Sequence, residues 1–242
     1  AARRNRRSVS MAEFQEAIER VIAGPERRSR LITPNEKKVV AYHEAGHASI
    51  SWLLEHAHPL VKVTIVPRGK SLGAAWYLPE ERQLTTFEQM VDEMTSALGG
   101  RAAEQVVFGK VSTGALNDLE KVTKQAFAMV AYYGFSKEIG NISFFDSTGA
   151  QDYAFSKPFS EKTNEIIDRE VKILVENAYV NAIKILEENR AGLDKLAQKL
   201  LEKEVPFREA AAHLLITLDG SDKEALEADP EKIGEIAMEN DA

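Results

Sequence analysis

Residues 33–55 hold the segment that most limits what this chain can fold into. Thr33-Pro34-Asn35-Glu36 combines a capping box with proline at the first helical position, a double helix-start signal. The pattern that follows predicts a helix to about Glu55, apolar on several sides through Val39, Val40, Ala41, Ala45, Ala48, Trp52 and Leu53. A helix without a clear polar face belongs in an interior. Yet this one also carries His43, Glu44 and His47, and a glycine at position 46 that costs about 1 kcal/mol relative to alanine. Burying the carboxylate without a partner is costly, and the glycine implies that something approaches its backbone closely.

The remaining elements are mostly helical as well. Ser10-Met11-Ala12-Glu13 is a capping box opening a short helix with Phe14, Ile18, Val21 and Ile22 on one face, stopped by Gly24-Pro25. Val61, Val63 and Ile65 alternate with Lys62 and Thr64, then Pro67-Arg68-Gly69 turns the chain toward a second strand at Ala74–Leu78. Thr85-Thr86-Phe87-Glu88 caps a helix carrying Met90, Val91, Met94 and Leu98, and Gly99-Gly100 marks its end. Asn117 or a neighbour caps another helix to about Tyr133. Residues 134–159 read as an irregular stretch, longer than ordinary connections. Ser160 opens about thirty helical residues, followed by shorter helices at Ala191–Lys203 and Phe207–Ile216. The predicted fold is mainly α with a small β-sheet. Its segments are residues 1–24, a linker at 25–33, a main domain at 34–208, and a C-terminal helix with an acidic tail at 209–242.

Composition removes several function classes. Of the net charge of −7, the stretch from Leu218 to Ala242 holds nine acidic residues and two Lys, which leaves the rest neutral. Residues 1–30 hold eight Arg against four Glu. No basic stripe with interleaved aromatics accompanies them, which argues against nucleic acid. No apolar run approaches the roughly 20 residues of a membrane span, and the N-terminus lacks the apolar core of a signal peptide, so the chain reads as soluble as it stands. With no cysteine, thiolate chemistry and Cys-type zinc sites are excluded, and a metal has to sit on His, Asp or Glu.

Such a set exists at His43-Glu44-Ala45-Gly46-His47. Positions i and i+4 of a helix point the same way, so both imidazoles can reach one ion. Zinc accepts neutral imidazole, and Glu44 beside that face can take a proton from activated water. Random placement produces this pattern in only roughly 0.01 of chains with this composition, so chance is a poor account of it. The bland alternative is a pair of hydrogen-bonded core histidines, which leaves Glu44 unexplained.

The motif does not name its third ligand. Metzincins continue with Gly and His where this chain has Ile50 and Leu53, and thermolysin-like enzymes place a Glu about where Val66, Pro67 and Arg68 stand. A carboxylate from farther downstream has to close the site. Glu80, Glu81, Glu104, Asp118 and Glu120 are candidates. Asp118 is favoured because it opens a helix after a glycine-containing loop, although plain helix capping explains such an aspartate too.

Several blocks taken together resemble the peptidase domain of FtsH-type ATP-dependent zinc metalloproteases. They are Val40-Ala41-Tyr42-His43-Glu44-Ala45-Gly46-His47-Ala48, Val63-Thr64-Ile65-Val66-Pro67-Arg68-Gly69, Leu98-Gly99-Gly100-Arg101-Ala102-Ala103-Glu104 and Thr113-Gly114-Ala115-Leu116-Asn117-Asp118-Leu119-Glu120. The resemblance covers roughly residues 30–208 in the family's order. Residues 1–24 resemble the end of that family's ATPase lid.

The resemblance implies one zinc ion per chain on His43, His47 and Asp118, with Glu44 as catalytic base. It implies that Gly73, Ala74, Ala75, Trp76, Tyr77 and Leu78 form an edge strand against which substrate lies extended, a mode that suits broad specificity. Unfolded or membrane-extracted polypeptides are the implied substrates and a homo-hexamer the implied assembly. The family's nucleotide-binding core and membrane anchor are not found in these residues, so the chain reads as a fragment. ATP then enters only through the absent ATPase module, and the membrane only through the absent anchor, with the parent expected at a bacterial or mitochondrial inner membrane. Two other readings stand beside this one. They are an assembly domain braced by zinc, and a hydrolase of small peptides acting alone.

Overall fold

The computed structural model describes residues 33–67, 72–78, 83–145, 158–202 and 214–215, with scattered positions before 33. Its elements in chain order are α1 (Pro34–Leu53), β1 (Leu60–Thr64), β2 (Ala74–Tyr77), α2 (Phe87–Ala97), α3 (Gly99–Phe108), a 3-10 turn (Thr113–Ala115), α4 (Leu116–Ala131), α5 (Glu161–Glu188), α6 (Arg190–Glu202) and β3 (Leu214–Leu215). The fold is mainly α with a small antiparallel sheet, as the sequence predicts. The short helix expected after Ser10, the linker and the acidic tail fall largely or wholly outside the described residues.

α1 starts where its capping box puts it. Thr33 Oγ1 accepts from the Glu36 N–H, and Glu36 Oε2 accepts from the Thr33 N–H at 3.0 Å. Residues 41–48 are buried without interruption. α1 packs most extensively on α3 and α6, and also touches α2, α5 and both long strands. Its Ala41, Ala45, Ala48 and Ile50 share one core with Val63, Ala102, Ala103, Leu186, Leu193 and Leu196. A second cluster joins Met90, Met94 and Leu98 of the α2 region to Val122, Ala126 and Met129 of α4 and Ala178 of α5. At 28 residues, α5 is about 42 Å long and packs across α2, α3 and α4.

The structure corrects the sequence reading in three places. Gly99-Gly100 does not merely end α2: it forms the first turn of α3, a helix the sequence reading misses. Leu98 serves both helices, as C-cap of α2 and N-cap of α3. Within Phe207–Ile216, where a helix is predicted, the two described residues Leu214 and Leu215 pair instead with Val63 and Lys62 of β1. The predicted alternation along β1 also breaks. Its register with β2 shifts between Leu60 and Lys62, and Val61 is 38% exposed while Lys62 is buried at 6%. A register irregularity breaks the simple inside-outside phase of a strand.

The sheet order is β2-β1-β3, so β1 lies in the middle and β2 is an edge strand among the described residues. Ala74, Ala75 and Trp76 sit opposite Thr64, Val63 and Lys62. Among the described residues no helix is long and apolar enough to cross a membrane.

Candidate metal centre

Close packing of α1 on α3 holds the first two candidate ligands. A Cβ on Gly46 would lie 2.3 Å from the Gly99 carbonyl oxygen and 2.6 Å from Ala103 Cβ. A Cβ on Gly99 would meet the Gly46 carbonyl in return, and one on Gly100 would lie 2.4 Å from His43 Nε2. Glycine at these three positions lets two backbones touch and leaves the His43 ring room beside α3. The mid-helix glycine thus has the reason its energetic cost implies.

Both imidazoles are fixed from behind. His43 Nδ1–H donates to Glu104 Oε1 at 2.8 Å, and His47 Nδ1–H donates to the Ser96 carbonyl at 2.9 Å. With both Nδ1 atoms spent as donors, the neutral rings turn their Nε2 lone pairs toward one point. The two Nε2 atoms lie 3.2 Å apart, and Asp118 Oδ2 stands 3.5 Å from each. Three such atoms converging this closely repel unless a metal ion or, in its absence, a proton on His43 sits among them. Tetrahedral coordination at 2.0–2.1 Å separates donor atoms by about 3.3 Å, so two nitrogens and one oxygen at these distances fit zinc and leave a fourth position open.

Asp118 reaches the site through the turn between α3 and α4. Glu104 anchors that turn: its Oε2 accepts the Ser112 N–H, and its Oε1 accepts the Ser112 hydroxyl at 3.0 Å. Ser112 Oγ in turn accepts the Gly114 N–H at 3.1 Å. One buried carboxylate therefore steadies His43 and the approach to Asp118 together. Asp118 lies in the first turn of α4 rather than at its cap, which is Ala115 without a side-chain bond. Capping is thus not its role.

The electrostatics favour a cation. Burial raises the Asp118 pKa, but the hydrogen bonds and charges of His43 and His47 outweigh it and hold the carboxyl well below the usual carboxylate range. Burial pulls His43 down, yet hydrogen bonds to Asp118 and Glu104 and the charges of Glu44 and Asp118 lift it to about 10. Glu44, 7% exposed, is pushed upward by burial, against the opposing pull of His47 and His43. Such perturbed groups gathered in one place mark functional sites.

The strand candidates lie beside this cluster. Gly73 is buried, residues 74–77 are half-buried and Leu78 is exposed. Burial pushes the pKa of the half-buried Tyr77 up to about 12, with the nearby Ser51 and Ser96 hydroxyls pulling the other way. Ser51 Oγ–H donates to the His47 carbonyl at 2.9 Å.

Of the five carboxylates left open by spacing, the structure brings only Asp118 to the two Nε2 atoms among the described residues. Glu104 stands behind His43, and Glu120 is exposed and paired with Lys124. Glu80 and Glu81 lie outside the described residues. Sequence reasoning missed the Ser96 carbonyl, Ser112 and Gly100. The Leu98–Glu104 block carried a signal for the last, since two adjacent glycines beside an apolar helix invite close packing.

A family profile described as peptidase family M41 matches residues 30–214. The chain is 57% identical over 214 residues to the ATP-dependent zinc metalloprotease FtsH of Parabacteroides distasonis, covering 88% of this chain and 31% of that protein. It is 54% identical over 215 residues to the protein of the same name from Karelsulcia muelleri, covering 89% and 35%. Against the mitochondrial inner membrane m-AAA protease component AFG3L2 of Mus musculus, identity is 47% over 215 residues, covering 89% and 27%. The chain spans about a third of the length of these relatives.

Proposed function

This chain belongs to peptidase family M41, the FtsH-type zinc metalloproteases, and from that premise we propose that it is a zinc-dependent endopeptidase acting on unfolded or membrane-extracted polypeptides. The observation that carries this reading is the convergence of His43 Nε2, His47 Nε2 and Asp118 Oδ2 within 3.5 Å of one another, with Glu44 adjacent in the chain.

His43, His47 and Asp118 would hold one zinc ion per chain. Bound there, zinc supplies a Lewis acid that acidifies water and polarises a carbonyl. Glu104 and Ser96 keep both imidazoles in the tautomer that offers Nε2. Glu44 takes a proton from the attacking water and returns it to the departing amine. An upward-shifted carboxyl suits both halves of that task, since it accepts and gives up a proton closer to neutrality. Substrate adds to β2 as a further strand along residues 73–78, held by backbone hydrogen bonds that any sequence can make.

The whole protein is an ATP-dependent protease, with the ATPase module that delivers unfolded chain encoded outside residues 34–208 and residues 1–24 belonging to its lid. It assembles as a homo-hexamer at a bacterial or mitochondrial inner membrane. The relatives' names, which include ATP-dependent and mitochondrial inner membrane proteases, support this reading.

The test is cleavage of an unfolded protein and of an internally quenched peptide by the purified chain with zinc, alongside Glu44→Gln. Both proteins should bind one zinc, and only the parent should cleave. Equal cleavage by the two, or zinc in neither, overturns the reading.

A further inference from the structure

We propose that Gly73 is a positioning residue, whose missing side chain lets the Glu44 carboxylate stand against the start of the substrate strand; the inference rests on the reading of Glu44 as base. Gly73 directly precedes β2 and is buried. A Cβ there would lie 2.7 Å from both Glu44 Cγ and Glu44 Oε1, and 2.9 Å from the Thr64 carbonyl oxygen. Its φ lies outside the left-handed region that favours glycine, so space rather than backbone conformation is what requires glycine here.

The three neighbours do not yield equally. Thr64 is the register partner of Ala74, and its carbonyl cannot recede without opening the β1–β2 ladder. The Glu44 backbone sits within the continuously buried stretch of α1. The part free to turn is the Glu44 side chain. Of the strain a methyl at position 73 brings, the share against Glu44 is relieved by swinging the carboxylate away, a movement that proton transfer from attacking water does not tolerate, while the share against the Thr64 carbonyl stays in the ladder. Gly73 thus fixes the spacing between base and strand at direct contact, and a substrate backbone laid along β2 meets Glu44 at a set depth.

A selective loss follows. Gly73→Ala should keep one zinc per chain and lose about 2–5 °C in Tm, the cost of the remaining contact with the Thr64 carbonyl. Its KM for a quenched peptide should stay within about threefold, while kcat falls by about 10–100-fold. Glu44→Ala supplies the control, because it removes Cγ and Oε1 together. In that background Gly73→Ala should cost less Tm than in the parent, since only the Thr64 carbonyl contact remains. An unchanged kcat in Gly73→Ala overturns the proposal, as does the same Tm loss in both backgrounds. Loss of zinc or a Tm drop beyond about 5 °C also overturns it, because the methyl then displaces the scaffold rather than the base. A Glu44→Gln protein that cleaves at the parent's rate removes the underlying reading instead.

Discussion

Glu104 Oε1 lies 2.8 Å from His43 Nδ1, and the two residues are 61 positions apart in the chain. The same carboxylate carries the Ser112 turn that leads to Asp118. Partners behind a ligand typically change metal affinity by about 10–100-fold when removed. Glu104→Ala should therefore weaken zinc binding by about that factor while circular dichroism stays unchanged. Ser112→Ala, which removes one of these bonds, should cost less.

Asp118 supplies the only formal negative charge among the three converging atoms. Removing a direct donor should exceed the effect of removing a partner behind one. Asp118→Asn should lower zinc affinity by more than about 100-fold, read by competition with a chelator of known affinity. Zinc retained at parental affinity would show that another group closes the site.

Proton and metal compete for His43. In the metal-free protein its pKa stands at about 10, so zinc has to displace a proton across the neutral range. Affinity should rise with pH there. Calorimetric titration near pH 7.5 in two buffers of different ionisation enthalpy should give about one proton released per zinc. Because the folded value is raised above 6.5, the stability His43 contributes to the metal-free protein is fully present below pH 6.5 and is lost as pH climbs through about 10. A metal-free melting temperature that rises over that window contradicts the assignment.

One substitution at two glycines should move stability in opposite directions. A Cβ on Gly46 overlaps the backbone of Gly99, which cannot turn aside, whereas one on Gly192 of α6 meets nothing within 4 Å. Gly46→Ala should cost about 3 kcal/mol, roughly 6–12 °C in Tm, and Gly192→Ala should gain about 0.5–1 kcal/mol, roughly 1–4 °C. Differential scanning calorimetry of the two variants reads both signs.

Local chemistry made much of this fold legible. The Thr33 and Glu36 side chains and Pro34 announce α1 within four residues, and Ser160 announces α5 by the same logic. His43 and His47 needed only helical spacing. The elements that escaped depend on partners far along the chain. α3 begins at two glycines, poor helix formers on their own, because α1 needs their missing side chains. Lys62 is buried because of a register shift against β2, which no alternation rule anticipates. Spacing left five carboxylates open for the third ligand, since the turn that delivers Asp118 is tied to Glu104 rather than to its neighbours in sequence.

The order of synthesis gives that long-range assembly a further meaning. The ribosome releases His43 and His47 first, then Ser96 and Glu104, and Asp118 last of the group. A half-made chain carries two histidines on a helix whose surrounding partners have not yet been translated. On the function proposed above, cutting power arrives only with completion of the fold, and the nascent chain, itself an unfolded polypeptide, is not exposed to its own chemistry.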